Sequence, residues 1–143
     1  MKKVAFFGLL LGGILWGCNN AKEIQNDHME ISGFNLGDTT TVNLNDIVLC
    51  NDDLDLFVQF DTIFSDSRCP HNASCIWEGN AEVGLSITYN KELDTMRLNT
   101  NPKMEQAKVA YGYKFQLIKL MPYPGEPGAD AIKTGVQLLV TKE

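Results

Sequence analysis

The sequence predicts an all-β domain, an antiparallel β-sandwich of about seven strands, with a barrel as the alternative closure. Three observations predict it. Apolar residues recur with period two more often than 3.6, clusters of Gly, Asn, Asp and Pro punctuate those runs, and strong helical stretches are missing between them. Thr41-Val42-Asn43-Leu44 alternates and is followed by Ile47-Val48-Leu49. From Leu54 to Phe64 the even positions are Leu54, Leu56, Val58, Phe60, Thr62 and Phe64. Ala81, Val83, Leu85, Ile87 and Tyr89 form the cleanest stripe, set against Glu82, Gly84, Ser86 and Thr88. Met96 and Leu98 share a face between Leu93 and Asn99, and Tyr113, Phe115 and Leu117 alternate with Lys114 and Gln116. The phase breaks at Leu117-Ile118, which predicts a bulge before Leu120. Val136, Leu138 and Val140 make the last strand. Turn signals stand at Gly37-Asp38, Asn51-Asp52-Asp53, Asn90-Lys91-Glu92 and Pro122 to Gly128. Asn101 to Ala110 is expected to hold one helical turn.

A chain of 143 residues with 44% apolar and 21% charged residues is ordinary globular material for one domain. The formal net charge is -6, and it is unevenly spread. Ten acidic residues and no Lys or Arg lie between Glu23 and Ser67, whereas nine basic and eight acidic residues follow from Arg68 onward. A phosphate backbone or an anionic head-group layer would be repelled by the first half, so nucleic acid is not an expected partner.

The N-terminus reads as an address. Met1-Lys2-Lys3 is a basic flank, Val4 to Trp16 is mostly apolar, and Gly17-Cys18 follows. Thirteen residues at ~1.5 Å each fall short of a ~30 Å hydrocarbon core. A small residue directly before cysteine at the end of such a run resembles the bacterial lipoprotein lipobox, although Trp16 is bulkier than that motif's usual residue. The resemblance implies a lipid on the Cys18 sulfur, cleavage before it, and stable anchoring by several acyl chains. The organisation expected is a lipoprotein signal peptide over 1–17, a lipid-anchored tether over 18–30 and the β-sandwich over 31–143. The place expected is the extracytoplasmic side of a bacterial cell envelope, at the outer membrane. His28 falls in the polar tether, where solvation is its ordinary fate.

The most specific stretch is Asp66-Ser-Arg68-Cys69-Pro-His71-Asn-Ala-Ser-Cys75-Ile-Trp77-Glu78-Gly-Asn-Ala-Glu-Val83. Two cysteines separated by five residues in a compact loop outside the reducing cytoplasm are most simply a disulfide. Cys50, at the end of an apolar strand, is expected to be a buried thiol, with a bridge to Cys69 or Cys75 as the competitor. This Asp-Ser-Arg-Cys-Pro…Cys-Ile-Trp-Glu-Gly-Asn-Ala-Glu-Val pattern, with the downstream run from Tyr113 into Pro122-Tyr-Pro124, resembles small bacterial lipoproteins of unknown function that are frequent in Bacteroidetes. The resemblance covers roughly residues 40–140 and implies a secreted all-β domain. It brings no catalytic assignment.

Several functional readings compete. Cys50, Cys69, His71 and Cys75 supply thiolates and an imidazole suited to zinc or copper, but thiolates oxidise outside the cytoplasm. Asp46, Asp52, Asp53 and Asp55 could serve calcium, yet no glycine-containing twelve-residue loop accompanies them. Arg68 and Glu78 flank the closed loop and are expected to pair and brace it, the alternative being that Arg68 grips a ligand carboxylate. Trp77 is expected to pack on the core, with an exposed, partner-binding role as the alternative. Tyr123, between two prolines, is the better candidate for an exposed aromatic. A hydrolytic triad would have His71 as its one structured base, and no Gly-rich phosphate loop or nucleophile elbow is present, so neither an enzyme nor a cofactor is expected. The sequence thus favours an anchored binding or accessory module whose candidate surface is Arg68, Trp77, Glu78 and Tyr123, with an envelope protein or glycan as partner. The alternatives are a metal-handling protein and a small carbohydrate-active enzyme.

Overall fold

The computed structural model describes residues 31–143; the leader, Cys18, His28 and the tether lie outside the described residues. Among these residues nine strands form the two sheets of a β-sandwich. The five-stranded sheet runs in the order β1 (Ser32–Phe34), β3 (Ile47–Cys50), β4 (Leu56–Asp66), β5 (Ala81–Tyr89) and β6 (Glu92–Asn99). The four-stranded sheet runs in the order β2 (Thr39–Asn43), β9 (Gly135–Lys142), β8 (Tyr113–Met121) and β7 (Ala107–Ala110). All pairings are antiparallel except β1 with β3, where Ser32 lies beside Val48 and Phe34 beside Cys50.

Two of the strands, β1 and β7, exceed the seven that the alternation predicts. β1 is three residues long, too short to display a period. β7 occupies the stretch where a helical turn was expected. There Met104 N–H closes a turn on the Asn101 carbonyl, and the chain then extends to pair with β8. The predicted bulge is present, as the β8–β9 register shifts between Leu117 and Lys119.

Alternation on each strand sends one face inward. Leu56, Val58 and Phe60 of β4 and Val83, Leu85 and Ile87 of β5 are buried in one core cluster with Phe115, Leu117, Leu138 and Val140 of the other sheet. Each large apolar side chain so buried contributes about 1.5–3 kcal/mol. On the outer face, Gly84 leaves room for Phe64, since a Cβ there would meet the ring edge at 2.8 Å. Arg97 lies over that ring at 3.7 Å and pairs with Glu82 at 3.3 Å.

Strand direction sorts the connections to two ends. The segments 44–46, 66–80, 100–106 and 122–134 lie at one end, while the turns 35–38, 51–55, 90–91 and 111–112 lie at the other. Because β1 runs parallel to β3, and β3 antiparallel to β4, the chain reaches Ser32 from the side of the 66–80 loop. The far end is pinned by Tyr113, whose hydroxyl donates to Asp53 Oδ2 at 2.6 Å. That bond chiefly pushes the phenol up to about 12 and holds the Asp53 carboxyl below its ordinary range. No helix among the described residues is long and apolar enough to cross a membrane.

Candidate functional site

The site is built where β4 runs out beyond its partners. The Ser67 N–H donates to the Asn80 carbonyl at 2.7 Å, and the Cys69 N–H donates to the Glu78 carbonyl at 3.1 Å, so the two loop arms stay paired past the sheet. Cys69 and Cys75 are joined in a disulfide, as the spacing predicts, and inside the ring the Ala73 N–H closes a turn on the Pro70 carbonyl. His71 sits in the ring, and its backbone N–H donates to the Pro124 carbonyl at 2.8 Å, which ties the stapled loop to the proline turn. Gly79 completes the base. It sits at φ 73°, and a Cβ would overlap the Ser67 carbonyl.

Arg68 is the bolt beneath this loop. Its side chain is only 7% exposed, and its fork is fully engaged on one side. Nε and Nη2 donate to the two carboxylate oxygens of Asp66 at 2.9 and 2.7 Å. Nη1 donates to the Leu120 carbonyl at 2.6 Å and Nη2 to the Pro122 carbonyl at 3.0 Å. One guanidinium thereby joins β4 of one sheet to the end of β8 in the other. Tyr123 covers it, with the guanidinium carbon 5.1 Å from the ring centre. Partial burial opposes ionisation of Asp66, but the Arg68 hydrogen bonds and charge outweigh it and hold the carboxyl below its ordinary range. On the other flank Asn80 donates to Asn99 Oδ1 at 2.8 Å and accepts from the Asn101 N–H at 3.1 Å, and Asn101 donates to the Gly79 carbonyl at 2.9 Å.

These bonds correct two expectations. Arg68 does not pair with Glu78. On an extended chain residues two apart share a face, so the fork meets Asp66 first, and Glu78 contributes its backbone carbonyl while its side chain stays exposed. With four N–H bonds committed inside the protein, Arg68 is not arranged to clamp a ligand carboxylate either. Trp77 does not pack on the core. The bond between Cys69 and Glu78 holds the arms together on either side of it, and the disulfide ties Cys75 back, so Ile76 and Trp77 stand outside the closed base. Ile76 is fully exposed and Trp77 is 74% exposed. Tyr123 is exposed as expected, beside the disulfide and Trp77 along one shallow hollow. A groove of about 300 Å³ adjoins it, walled by Glu78, Gly79, Asn101, Lys119 and Tyr123.

The metal readings are not assembled. Cys69 and Cys75 are bonded to each other, and Cys50 is a buried thiol at the far end of the sandwich, so these residues and His71 do not converge. Asp52 accepts the Leu36 N–H and Asp53 accepts the Asp55 N–H and the Tyr113 hydroxyl. Asp46 lies at the opposite end and accepts from Asn43. Among the described residues no three His, Cys, Asp or Glu side chains are grouped as metal ligands would be.

What this arrangement can do chemically is present an exposed apolar and aromatic tip, Ile76, Trp77 and Tyr123, on a base closed by one disulfide and a largely buried ion pair. Of the tip residues the sequence marks Tyr123 as exposed but not Trp77 or Ile76; Asp66 and the β8 carbonyls that secure Arg68 are not legible either, apart from the two-residue spacing of Asp66 and Arg68. Comparison with known proteins finds no matching family model, no matching curated protein and no matching solved structure.

Proposed function

We propose that this protein is a lipid-anchored accessory module of the bacterial cell envelope, held extracytoplasmically through Cys18, and that it acts by binding an envelope component through the face formed by the 66–80 loop and the 122–128 turn. The single observation that carries the siting is the exposure of Ile76 and Trp77 on a base that is itself rigidly closed. A loop whose backbone is already closed loses less conformational entropy on binding, and Trp is enriched among residues that dominate interfaces. The basic flank, the apolar run and Gly17-Cys18 support the anchor. A binding role is preferred to a small carbohydrate-active enzyme because glycosidases ordinarily need two flanking carboxylates, and Glu78 is the one acidic side chain lining the groove among the described residues.

A photo-crosslinking residue at position 77, with position 54 at the opposite end as control, tests this in intact cells. Adducts at 77 and none at 54 are expected. Equal labelling at both positions, or none at either, rejects the siting.

A further inference from the structure

We infer that the component bound by the stapled-loop face is the bilayer surface into which the chain is anchored: the sandwich stands on the membrane with Ile76, Trp77 and Tyr123 set into the lipid interface. This rests on the anchored reading above and narrows its partner to lipid. Three independent observations converge on it.

The first is direction. β1 receives the chain from the same end that carries the 66–80 loop. Asp66 lies eight residues beyond Val58, the partner of Val48, which places the loop roughly 25 Å further out. Thirteen residues separate Cys18 from Ile31 if Cys18 is counted, and that length reaches at most ~45 Å. A lipid on Cys18 can therefore lie in the plane of the loop tip with the loop pointing at the same surface.

The second is the placement of the exposed aromatic side chains. Trp77 and Tyr123 belong to segments at this end, with Ile76, Met104 and Ile132 exposed beside them, whereas the far end exposes the aliphatic Leu54 and Leu93. Tryptophan and tyrosine are the residues that settle at the membrane–water boundary, where an apolar ring and a polar edge are both satisfied. The disulfide and the Arg68 bolt hold the backbone segments that carry them.

The third is charge. The far end carries Asp38, Asp52, Asp53, Asp55, Glu92 and Asp94 against Lys91 and Lys142. At the loop end Arg68 and Lys108 are paired with Asp66 and Glu105, and Lys103, Lys119 and Lys133 nearly balance the remaining acids. The acidic pole faces water, and the near-neutral apolar pole faces lipid. Insertion here is driven by apolar burial, so it does not depend on anionic lipid.

Trp77 is the one tryptophan in residues 18–143, which makes it a built-in reporter. The full lipidated protein, purified from membranes, is reconstituted in phosphatidylcholine vesicles with or without dibrominated phosphatidylcholine. Trp77 emission is expected to fall at least about twofold with the brominated lipid. The double variant Trp77→Phe, Leu54→Trp places the reporter at the far end and is expected to show no such loss. An unquenched Trp77, or equal quenching at 77 and 54, overturns the docking. A crosslink from position 77 that captures protein or glycan in place of lipid overturns it too. Intact mass reads the anchor separately: protein lacking a diacylglycerol on Cys18 overturns both readings, whereas lipidated protein with unquenched Trp77 overturns only this one.

Discussion

Replacing Arg68 removes the one side chain that fastens the two sheets together beneath the loop. In Arg68→Ala four hydrogen bonds from a charged donor vanish. Their costs differ. Asp66 is 29% exposed and regains water, and the Pro122 carbonyl is partly open, but Leu120 is buried and its carbonyl is left without a donor. An orphaned buried acceptor costs about 1–3 kcal/mol, and breaking a buried pair costs about 3–5 kcal/mol. Rehydration of Asp66 places the total near the lower bound, about 3 kcal/mol. At a urea slope of about 1.5 kcal/mol/M this moves the unfolding midpoint down by about 2 M. Arg68→Lys separates charge from shape. A single ammonium cannot hold both Asp66 oxygens and two carbonyls in the planar fork's geometry, so about half the loss, roughly 1 M, is expected. Urea unfolding followed by circular dichroism measures both variants. An Arg68→Ala midpoint within about 0.3 M of wild type, or an Arg68→Lys midpoint equal to it, would refute the reasoning.

Gly79→Ala forces a Cβ onto the Ser67 carbonyl at φ 73°; a loss above about 1 kcal/mol and a Tm fall of about 5 °C are expected, and an unchanged Tm counts against the loop base described above. The double variant Cys69→Ser, Cys75→Ser opens a seven-residue ring, expected to cost about 2 kcal/mol and to admit proteolysis between Pro70 and Trp77; dithiothreitol leaving the unfolding midpoint unchanged speaks against it. The Asp53–Tyr113 bond gives stability with limits at both extremes of pH. The lowered Asp53 carboxyl contributes fully above its unfolded value of 3.8 and loses this as pH falls through the folded value. The raised Tyr113 phenol contributes fully below 10.0 and loses this as pH rises through about 12. Tyr113→Phe should therefore flatten the stability profile below about pH 4 and above about pH 10, and a profile parallel to wild type in urea midpoints fails the assignment.

The fold was legible because its largest strands announce themselves. Ala81 to Tyr89 alternates without a break and is the central partner of both β4 and β6. The bulge near Leu117 was visible for the same reason, since a phase slip is itself a local signal. What escaped was set by distant partners. β7 is a strand because β8 lies beside it, and nothing in Ala107-Lys-Val-Ala110 alternates strongly enough to say so. In the site, the disulfide followed from spacing and from the compartment expected of the N-terminal motif. The partner of Arg68 did not, because Arg68 and Glu78 look symmetric about the loop in sequence while the fork's other acceptors are backbone carbonyls more than fifty residues away. Trp77 was misread on composition: an indole next to a disulfide suggests core, and only the paired arms of the loop put it outside.

The placement of Cys50 bears on how the oxidised protein matures. It ends β3 and is fully buried, while Cys69 lies beyond the last residue of β4, an 11-residue strand that separates them by roughly 30 Å. Once those strands have paired, an oxidant acting on the three described cysteines can join Cys69 to Cys75 and cannot join either to Cys50. Mispairing among these three cysteines is confined to chains oxidised before the sheet closes, so pairing of β3 with β4 ahead of oxidation selects the native crosslink without an isomerase.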